Sequence, residues 1–122
     1  MVKKITREEL QDMIAQVRDL RLVDVLAAQH YEEEHIKGAI SIPLQDIEVK
    51  AGKILGKNDL IVVYCASFDC MASTQAAEKL LSLGYKNVLD YKGGLKDYKE
   101  ANLPLEGSLH KEASKTFSCQ SC

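Results

Sequence analysis

The sequence feature that most restricts the fold is the uninterrupted apolar run Leu60–Tyr64, which reads Leu-Ile-Val-Val-Tyr and is followed at once by Cys65. Three of its five residues are β-branched, which favours a strand. Its apolar residues are consecutive rather than alternating, as is typical of a central strand covered on both faces. The run therefore predicts the middle strand of a layered α/β structure.

Helical and extended patterns alternate on both sides of that strand. A capping-box pattern at residues 6–9 predicts a first helix over about 7–17. Further strands are predicted near 20–26, 38–43 and 87–90, and further helices over 27–34, 44–49, 73–83 and 95–101. Strands that alternate with helices indicate an open α/β fold with a mostly parallel sheet.

The chain has 122 residues, which is enough for one compact domain and short for two. After Gly107 the sequence turns polar and loses its periodicity. We therefore expect one domain over 1–107 and a flexible tail over 108–122. The first residues turn acidic before any long apolar segment, unlike a secretory signal, so we expect a cytoplasmic, reducing environment.

Charge and composition exclude several kinds of partner. The net charge is −2, so the chain lacks the excess of cations that nucleic-acid binding requires. Only 6% of the residues are aromatic, which disfavours a base-stacking surface. The apolar runs are far shorter than the roughly 20 residues that cross a bilayer. We expect neither a nucleic-acid nor a membrane partner, and the sequence does not predict the oligomeric state.

Cys65 stands where the covered strand gives way to a loop, which is followed by the start of a helix near Ser73. Ligands of open α/β sheets bind beyond the carboxyl ends of the strands. The N–H groups of such a loop and the positive end of a helix both favour thiolate over thiol. We therefore expect Cys65 to be an anionic, solvent-open nucleophile, the alternative being a small core residue.

Four short motifs follow one another between residues 8 and 107. They are Leu-Val-Asp-Val at 22–25, Tyr-Glu-Glu-Glu-His-Ile-Lys-Gly-Ala-Ile-Ser-Ile-Pro at 31–43, Ile-Val-Val-Tyr-Cys at 61–65, and Leu-Gly-Tyr-Lys-Asn-Val at 83–88 with Gly-Gly-Leu at 93–95 and Tyr98 beyond it. In composition and order these motifs resemble those of the single-domain rhodanese-like family of sulfurtransferases.

The resemblance implies a sheet of about five parallel strands with helices on both faces. It also implies that Cys65 is the catalytic nucleophile, which takes a sulfane sulfur from thiosulfate or a persulfide and passes it to a thiol or cyanide. The donor can be a small molecule or a protein persulfide, and neither a metal nor an organic cofactor is implied. The alternative is a low-turnover sulfur-binding or redox-sensing module. The implied substrate-binding loop comprises Ala66, Ser67, Phe68, Asp69, Cys70, Met71, Ala72 and Ser73.

The loop departs from the common family pattern Cys-x-x-Gly-x-Arg-Ser. Phe68 occupies the glycine position, Cys70 the arginine position and Met71 the next one, and no Lys or Arg occurs between Cys65 and Glu78. Arginine is the side chain best suited to bind anionic oxygens. We therefore expect weak use of the thiosulfate dianion and a preference for a persulfide donor, unless Lys92 or Lys96 supplies a cation.

The remaining cysteines leave alternatives open. Cys70 can be inert, can resolve a persulfide on Cys65 into a disulfide, or can protect Cys65 from over-oxidation by closing that disulfide. Cys119 and Cys122 form a Cys-x-x-Cys pair that resembles a redox or metal half-site. A metal site usually needs four N or S ligands, and no others stand at suitable spacing, so we predict none.

Overall fold

The computed structural model of the chain describes residues 2–110, which form a five-stranded parallel sheet with helices on both faces. The elements, in chain order, are β1 (Lys3–Ile5), α1 (Arg7–Gln16), β2 (Arg21–Asp24), α2 (Ala28–Glu33), β3 (His35–Ile36), β4 (Ile40–Ser41), a 3₁₀ turn (Leu44–Asp46), α3 (Ile47–Ile54), β5 (Leu60–Tyr64), α4 (Ala72–Ser82), β6 (Asn87–Tyr91), α5 (Gly94–Glu100) and β7 (Leu105–Glu106). The order in the main sheet is β1-β6-β5-β2-β4, and β3 pairs with β7 in a separate antiparallel ribbon.

The middle strand β5 separates two apolar clusters. Ile61 and Val63 pack on one face of the sheet, with α3 and α4. Val62 and Tyr64 pack on the other face, with Leu10 of α1 and Tyr98 of α5. The side chains of a strand alternate between faces, so a strand apolar at every position is buried only when both faces are covered. The predicted central strand is confirmed at its predicted bounds.

The structure also differs from the sequence-based elements. The helix predicted over 44–49 is a 3₁₀ turn that continues into α3 as far as Ile54, because the burial of Ile47 and Ala51 holds Gly52 in helical backbone. Three short strands, β1, β3 and β7, were not predicted. Strands of two or three residues carry no readable periodicity, and they form here because a partner strand supplies their hydrogen bonds.

The end of the described chain stays attached to the domain. Nε2 of His110 lies 2.9 Å from the Glu34 carboxylate. The Cys119–Cys122 pair and most of the expected tail lie outside the described residues, so the domain boundary at 107 stays a prediction. Within residues 2–110, no helix is long and apolar enough to cross a membrane.

A buried polar network connects the sheet to the segment before β4. The Asp24 carboxylate accepts hydrogen bonds from the Leu26 N–H at 2.9 Å and from the Tyr64 hydroxyl at 2.9 Å. The Tyr64 hydroxyl in turn accepts one from the Ile36 N–H at 3.0 Å. Burial raises the pKa of Asp24, although the hydrogen bonds from the Leu26 N–H and the Tyr64 hydroxyl oppose the shift. One hydroxyl thus satisfies two buried groups from two other segments.

The Tyr64→Phe substitution tests this network. It removes both hydrogen bonds of the hydroxyl and leaves the Ile36 N–H and one oxygen of Asp24 without those partners in the core. We expect the free energy of unfolding in urea to fall by roughly 1–3 kcal/mol. Tyr85→Phe is the control, since Tyr85 is also buried but contributes no hydroxyl to this network. Equal losses in the two variants would contradict the role given to the Tyr64 hydroxyl.

Candidate functional site

Cys65 follows β5 directly and lies on the α3–α4 face of the sheet, where it packs with Val63 and Ala76. The residue is only 1% exposed. Its Sγ donates a hydrogen bond to the main-chain carbonyl of Cys70 at 3.3 Å, so the thiol faces an acceptor rather than a ring of N–H donors. Cys65 therefore occupies the predicted position at the strand end, with its sulfur turned into the core.

The expectation that Cys65 is solvent-open and anionic is wrong for this conformation. Burial raises the pKa of the Cys65 thiol, and its contact with Cys70 raises it further. The hydroxyl and amide of Ser73, at the start of α4, lower the pKa of Cys65 without reversing the shift. The reason is geometric: Cys65 continues the side-chain alternation of β5, which places its sulfur on the same buried face as Val63.

Ser73 is the other chemical group buried next to Cys65. The residue is fully buried at the start of α4, and its Oγ has no hydrogen-bond partner within the described residues. Its hydroxyl and N–H are nevertheless close enough to Cys65 to stabilise the thiolate. An unpartnered buried hydroxyl is uncommon, and this one is available to a charged sulfur.

Loop N–H groups of the kind predicted to stabilise a Cys65 thiolate act on Cys70 instead. Cys70 is a partly exposed free thiol. Burial by itself would raise the pKa of Cys70, but the Cys65 thiol, the N–H groups of Ala66 and Ala72 and the charge of Lys92 outweigh it, so the pKa is lowered. The two thiols are thus unlike, because the partners of one favour the protonated form and those of the other favour the thiolate.

Lys92 supplies the cation that the loop itself lacks. It follows β6 directly, and the register pairs Tyr64 with Tyr91, so Lys92 and Cys65 stand side by side beyond neighbouring strands. Its Nζ donates to the Cys70 carbonyl at 2.5 Å and lies 3.7 Å from Sδ of Met71. Lys96, the other cation considered, is exposed and lines a small cleft beside the loop.

The start of α5 holds the base of the loop. The N–H of Leu95 donates to the Cys65 carbonyl at 2.9 Å, and the N–H of Lys96 donates to the Ala66 carbonyl at 2.8 Å. Gly94 has a φ of 66°, and a Cβ there would lie 2.5 Å from the Cys65 carbonyl oxygen. In the sequence Gly94 stands out only as part of the Gly-Gly-Leu motif at 93–95, and its close approach to Cys65 depends on tertiary structure.

The other predicted loop residues occupy unlike environments. Ala66, Phe68, Asp69 and Met71 are exposed, and Ser67 and Ala72 are partly exposed. The Cys70 N–H donates to the Ser67 carbonyl at 3.1 Å, which closes a tight turn. Phe68 also borders a cavity of about 550 Å³ that Lys4, Arg7 and Lys92 help to line. Cys65 does not line that cavity.

Comparisons with known proteins agree on one family. The family model described as "Rhodanese-like domain" matches residues 6–101. Thiosulfate sulfurtransferase PspE of Escherichia coli is 41% identical over 76 residues, which are 62% of this chain and 70% of PspE. A sulfurtransferase of Allochromatium vinosum is 30% identical over 105 residues, 86% of this chain and 95% of the relative. A rhodanese-like domain from Anabaena sp. superposes with a TM-score of 0.81 at 29% identity, over 90% of this chain and 83% of that structure.

The unlike thiols predict an order of alkylation. With iodoacetamide, Cys70 is expected to react first, with a rate that rises at lower pH than for free cysteine, because its pKa is lowered. Cys65 is expected to react slowly and only at higher pH, because it is buried and its pKa is raised. Peptide mass spectrometry across a pH series measures both rates. Faster labelling of Cys65 would contradict the environments described here.

Gly94→Ala tests the contact between α5 and the loop. A left-handed residue other than glycine costs about 1–2 kcal/mol, and the clash with the Cys65 carbonyl adds to it. We expect lower stability in urea and a changed alkylation rate at Cys65. Gly52→Ala is the control, because Gly52 lies within α3 with open space around its Cα. That variant is expected to be neutral or slightly stabilising, and a similar loss in both would count against the contact.

Proposed function

This chain belongs to the rhodanese-like domain family, and on that premise we propose that it is a sulfurtransferase that carries a sulfane sulfur as a persulfide on Cys65. The main support is the position of Cys65 at the carboxyl end of the central strand, next to the unpartnered hydroxyl and the N–H of Ser73. Two relatives that align with 86% and 81% of this chain are named sulfurtransferase and thiosulfate sulfurtransferase GlpE.

The reaction needs two displacements at sulfur. The Cys65 thiolate attacks the outer sulfur of the donor, the donor S–S bond breaks, and the donor leaves as a thiolate or, from thiosulfate, as sulfite. The acceptor, a thiolate or cyanide, then attacks the terminal sulfur of the persulfide and releases the Cys65 thiolate. No net oxidation occurs. The Cys70 carbonyl must turn away from the Cys65 thiol first, since it accepts the proton that has to leave.

Once that carbonyl turns away, the neighbouring groups favour an anion at Cys65. The Ser73 N–H and hydroxyl remain to donate to it, as the donors of an oxyanion hole do to oxygen. The ammonium group of Lys92 also donates a hydrogen bond to the Cys70 carbonyl. We propose that the loop over 66–71 makes this rearrangement accessible, because four of its six residues are exposed.

The proposed donor is a persulfide, either small or protein-bound, in preference to thiosulfate. Among the described hydrogen bonds, Lys92 is the cation that contacts this loop, and it is engaged by the Cys70 carbonyl and by Met71. A lysine is also a point charge that does not bind two oxygens in the bidentate manner of arginine. The cost of placing a dianion here is therefore greater than that of placing the singly charged or neutral persulfide.

A second candidate function is a sulfur-binding or redox-sensing module of low turnover. One observation favours it: Cys65 is 1% exposed and its thiol donates to a carbonyl, an arrangement that slows reaction with small substrates. In that case the loop would open rarely and the persulfide, once formed, would be retained.

Steady-state assays with cyanide as the acceptor test both candidates. We expect turnover with glutathione persulfide to exceed turnover with thiosulfate, because the site lacks an arginine. Cys65→Ser is expected to lose about 1,000-fold or more, as the loss of a covalent nucleophile does in other enzymes. Cys65→Ala, and circular dichroism of both variants, separate lost chemistry from lost folding.

The outcomes discriminate between the candidates. A clear preference for thiosulfate contradicts the donor assignment. A stable persulfide on Cys65 without turnover favours the low-turnover module. Unchanged turnover in Cys65→Ser contradicts both.

A further inference from the structure

If the chain transfers sulfane sulfur as proposed above, we infer that Cys70 is the thiol that receives the sulfur from donors in solution and delivers it to Cys65. Two free thiols lie in one loop, one on a buried residue and the other on a partly exposed residue that packs against the α3–α4 cluster. The division of labour follows from access, from the groups around each sulfur and from the contact between the two residues.

Access separates the two thiols. Cys65 is 1% exposed beneath α4, whereas Cys70 is partly exposed in the loop between two exposed residues, Asp69 and Met71. Displacement at sulfur requires an approach along the S–S bond of the donor, so both the donor and its leaving group need room. In this conformation Cys70 is the more accessible of the two residues to a donor in solution.

The groups around Cys70 also suit a sulfur anion. The N–H groups of Ala66 and Ala72 and the charge of Lys92 all act on its sulfur. The same donors would stabilise the terminal sulfur of a persulfide formed there, which is likewise an anion at neutral pH. The acidic residue of the loop, Asp69, is exposed and makes no hydrogen bond to Cys70 among the described contacts.

The second step passes the sulfur inward. The Cys65 thiol lies against Cys70, since its Sγ donates to the Cys70 carbonyl at 3.3 Å and the two thiols influence each other's pKa. The Cys65 sulfur attacks the outer sulfur of the Cys70 persulfide and gives up its proton. The S–S bond breaks, Cys70 leaves as a thiolate or takes that proton, and the persulfide is now on Cys65. Neither cysteine is oxidised or reduced overall.

Lys92 is a positioning residue in this scheme. Its hydrogen bond to the Cys70 carbonyl fixes the turn that carries the Cys70 thiol, and its charge favours the thiolate. It is one residue beyond β6, so the sheet itself holds it in place. Lys96 is exposed on α5, and its side chain has no contact with either sulfur among the described hydrogen bonds, which makes it a matched control.

A resolving role for Cys70 gives different products. In that role the Cys70 thiolate attacks the inner sulfur of a Cys65 persulfide, which yields a Cys65–Cys70 disulfide and hydrosulfide. Each turnover would then need a dithiol reductant to reopen the disulfide. Delivery from Cys70 to Cys65 forms neither product, so the two roles can be separated by mass and by sulfide release.

A single-turnover experiment on the full chain tests the inference. The reduced protein is mixed with substoichiometric glutathione persulfide, quenched with an alkylating agent at successive times, and each cysteine peptide is examined for one added sulfur. We expect the sulfur on Cys70 first and on Cys65 later. In Cys70→Ser the loading of Cys65 is expected to slow by about tenfold or more, since the thiolate that accepts the sulfur is lost.

The lysine variants add a readout that a purely structural role would not give. Lys92→Gln is expected to move the pH profile of Cys70 loading upward and to slow loading near neutrality by up to about tenfold, whereas Lys92→Arg restores it. Lys96→Gln is expected to match the wild type. Thermal unfolding of every variant identifies any that fail to fold, and Cys70→Ala serves as the second variant at that position.

Three outcomes overturn the inference. In the first, sulfur appears on Cys65 before Cys70, and Cys65 is loaded at the same rate in Cys70→Ser. That result removes the role of Cys70 and leaves the proposed function intact. Formation of a Cys65–Cys70 disulfide together with an equal amount of hydrosulfide would show that Cys70 resolves the Cys65 persulfide and does not deliver sulfur to it. Absence of added sulfur on both cysteines, together with no turnover, overturns the proposed function as well.

Discussion

The site depends on the coverage of β5 on both faces. Alternate side chains of this strand enter two separate apolar clusters, and the next residue, Cys65, continues the alternation into the α3–α4 cluster. A side chain in that position exchanges solvent for packing, and this exchange raises the pKa of its thiol. The feature that makes the strand central therefore also makes its terminal cysteine difficult to reach.

The loop that follows is held at both ends by neighbouring strands and helices. Two N–H groups at the start of α5 bind the Cys65 and Ala66 carbonyls, and Gly94 permits that approach because it lacks a Cβ. At the other end, Lys92 and the Cys65 thiol both donate to the Cys70 carbonyl. This single oxygen therefore accepts hydrogen bonds from the buried thiol and from the lysine beside the loop, and it belongs to the residue that carries the partly exposed thiol.

The two cysteines carry the same thiol group but differ in exposure and in pKa because their surroundings differ. The buried sulfur of Cys65 is protected from oxidants, but burial raises its pKa. The sulfur of Cys70 has a lowered pKa because amides and a cation act on it, but it is partly exposed. The structure places these properties on Cys70 and Cys65, five residues apart in one loop.

The sequence by itself determined the layered α/β fold, the central strand at Leu60–Tyr64 and the position of Cys65 at its end, because hydrophobic patterning and capping residues act locally. The short strands β1, β3 and β7 could not be predicted from the sequence, since each forms only by pairing with another strand. Tertiary structure alone decided which cysteine is partly exposed, which lysine reaches the loop and how closely Gly94 approaches Cys65. Those outcomes depend on contacts between β5, β6 and α5, residues distant along the chain whose approach no local pattern encodes.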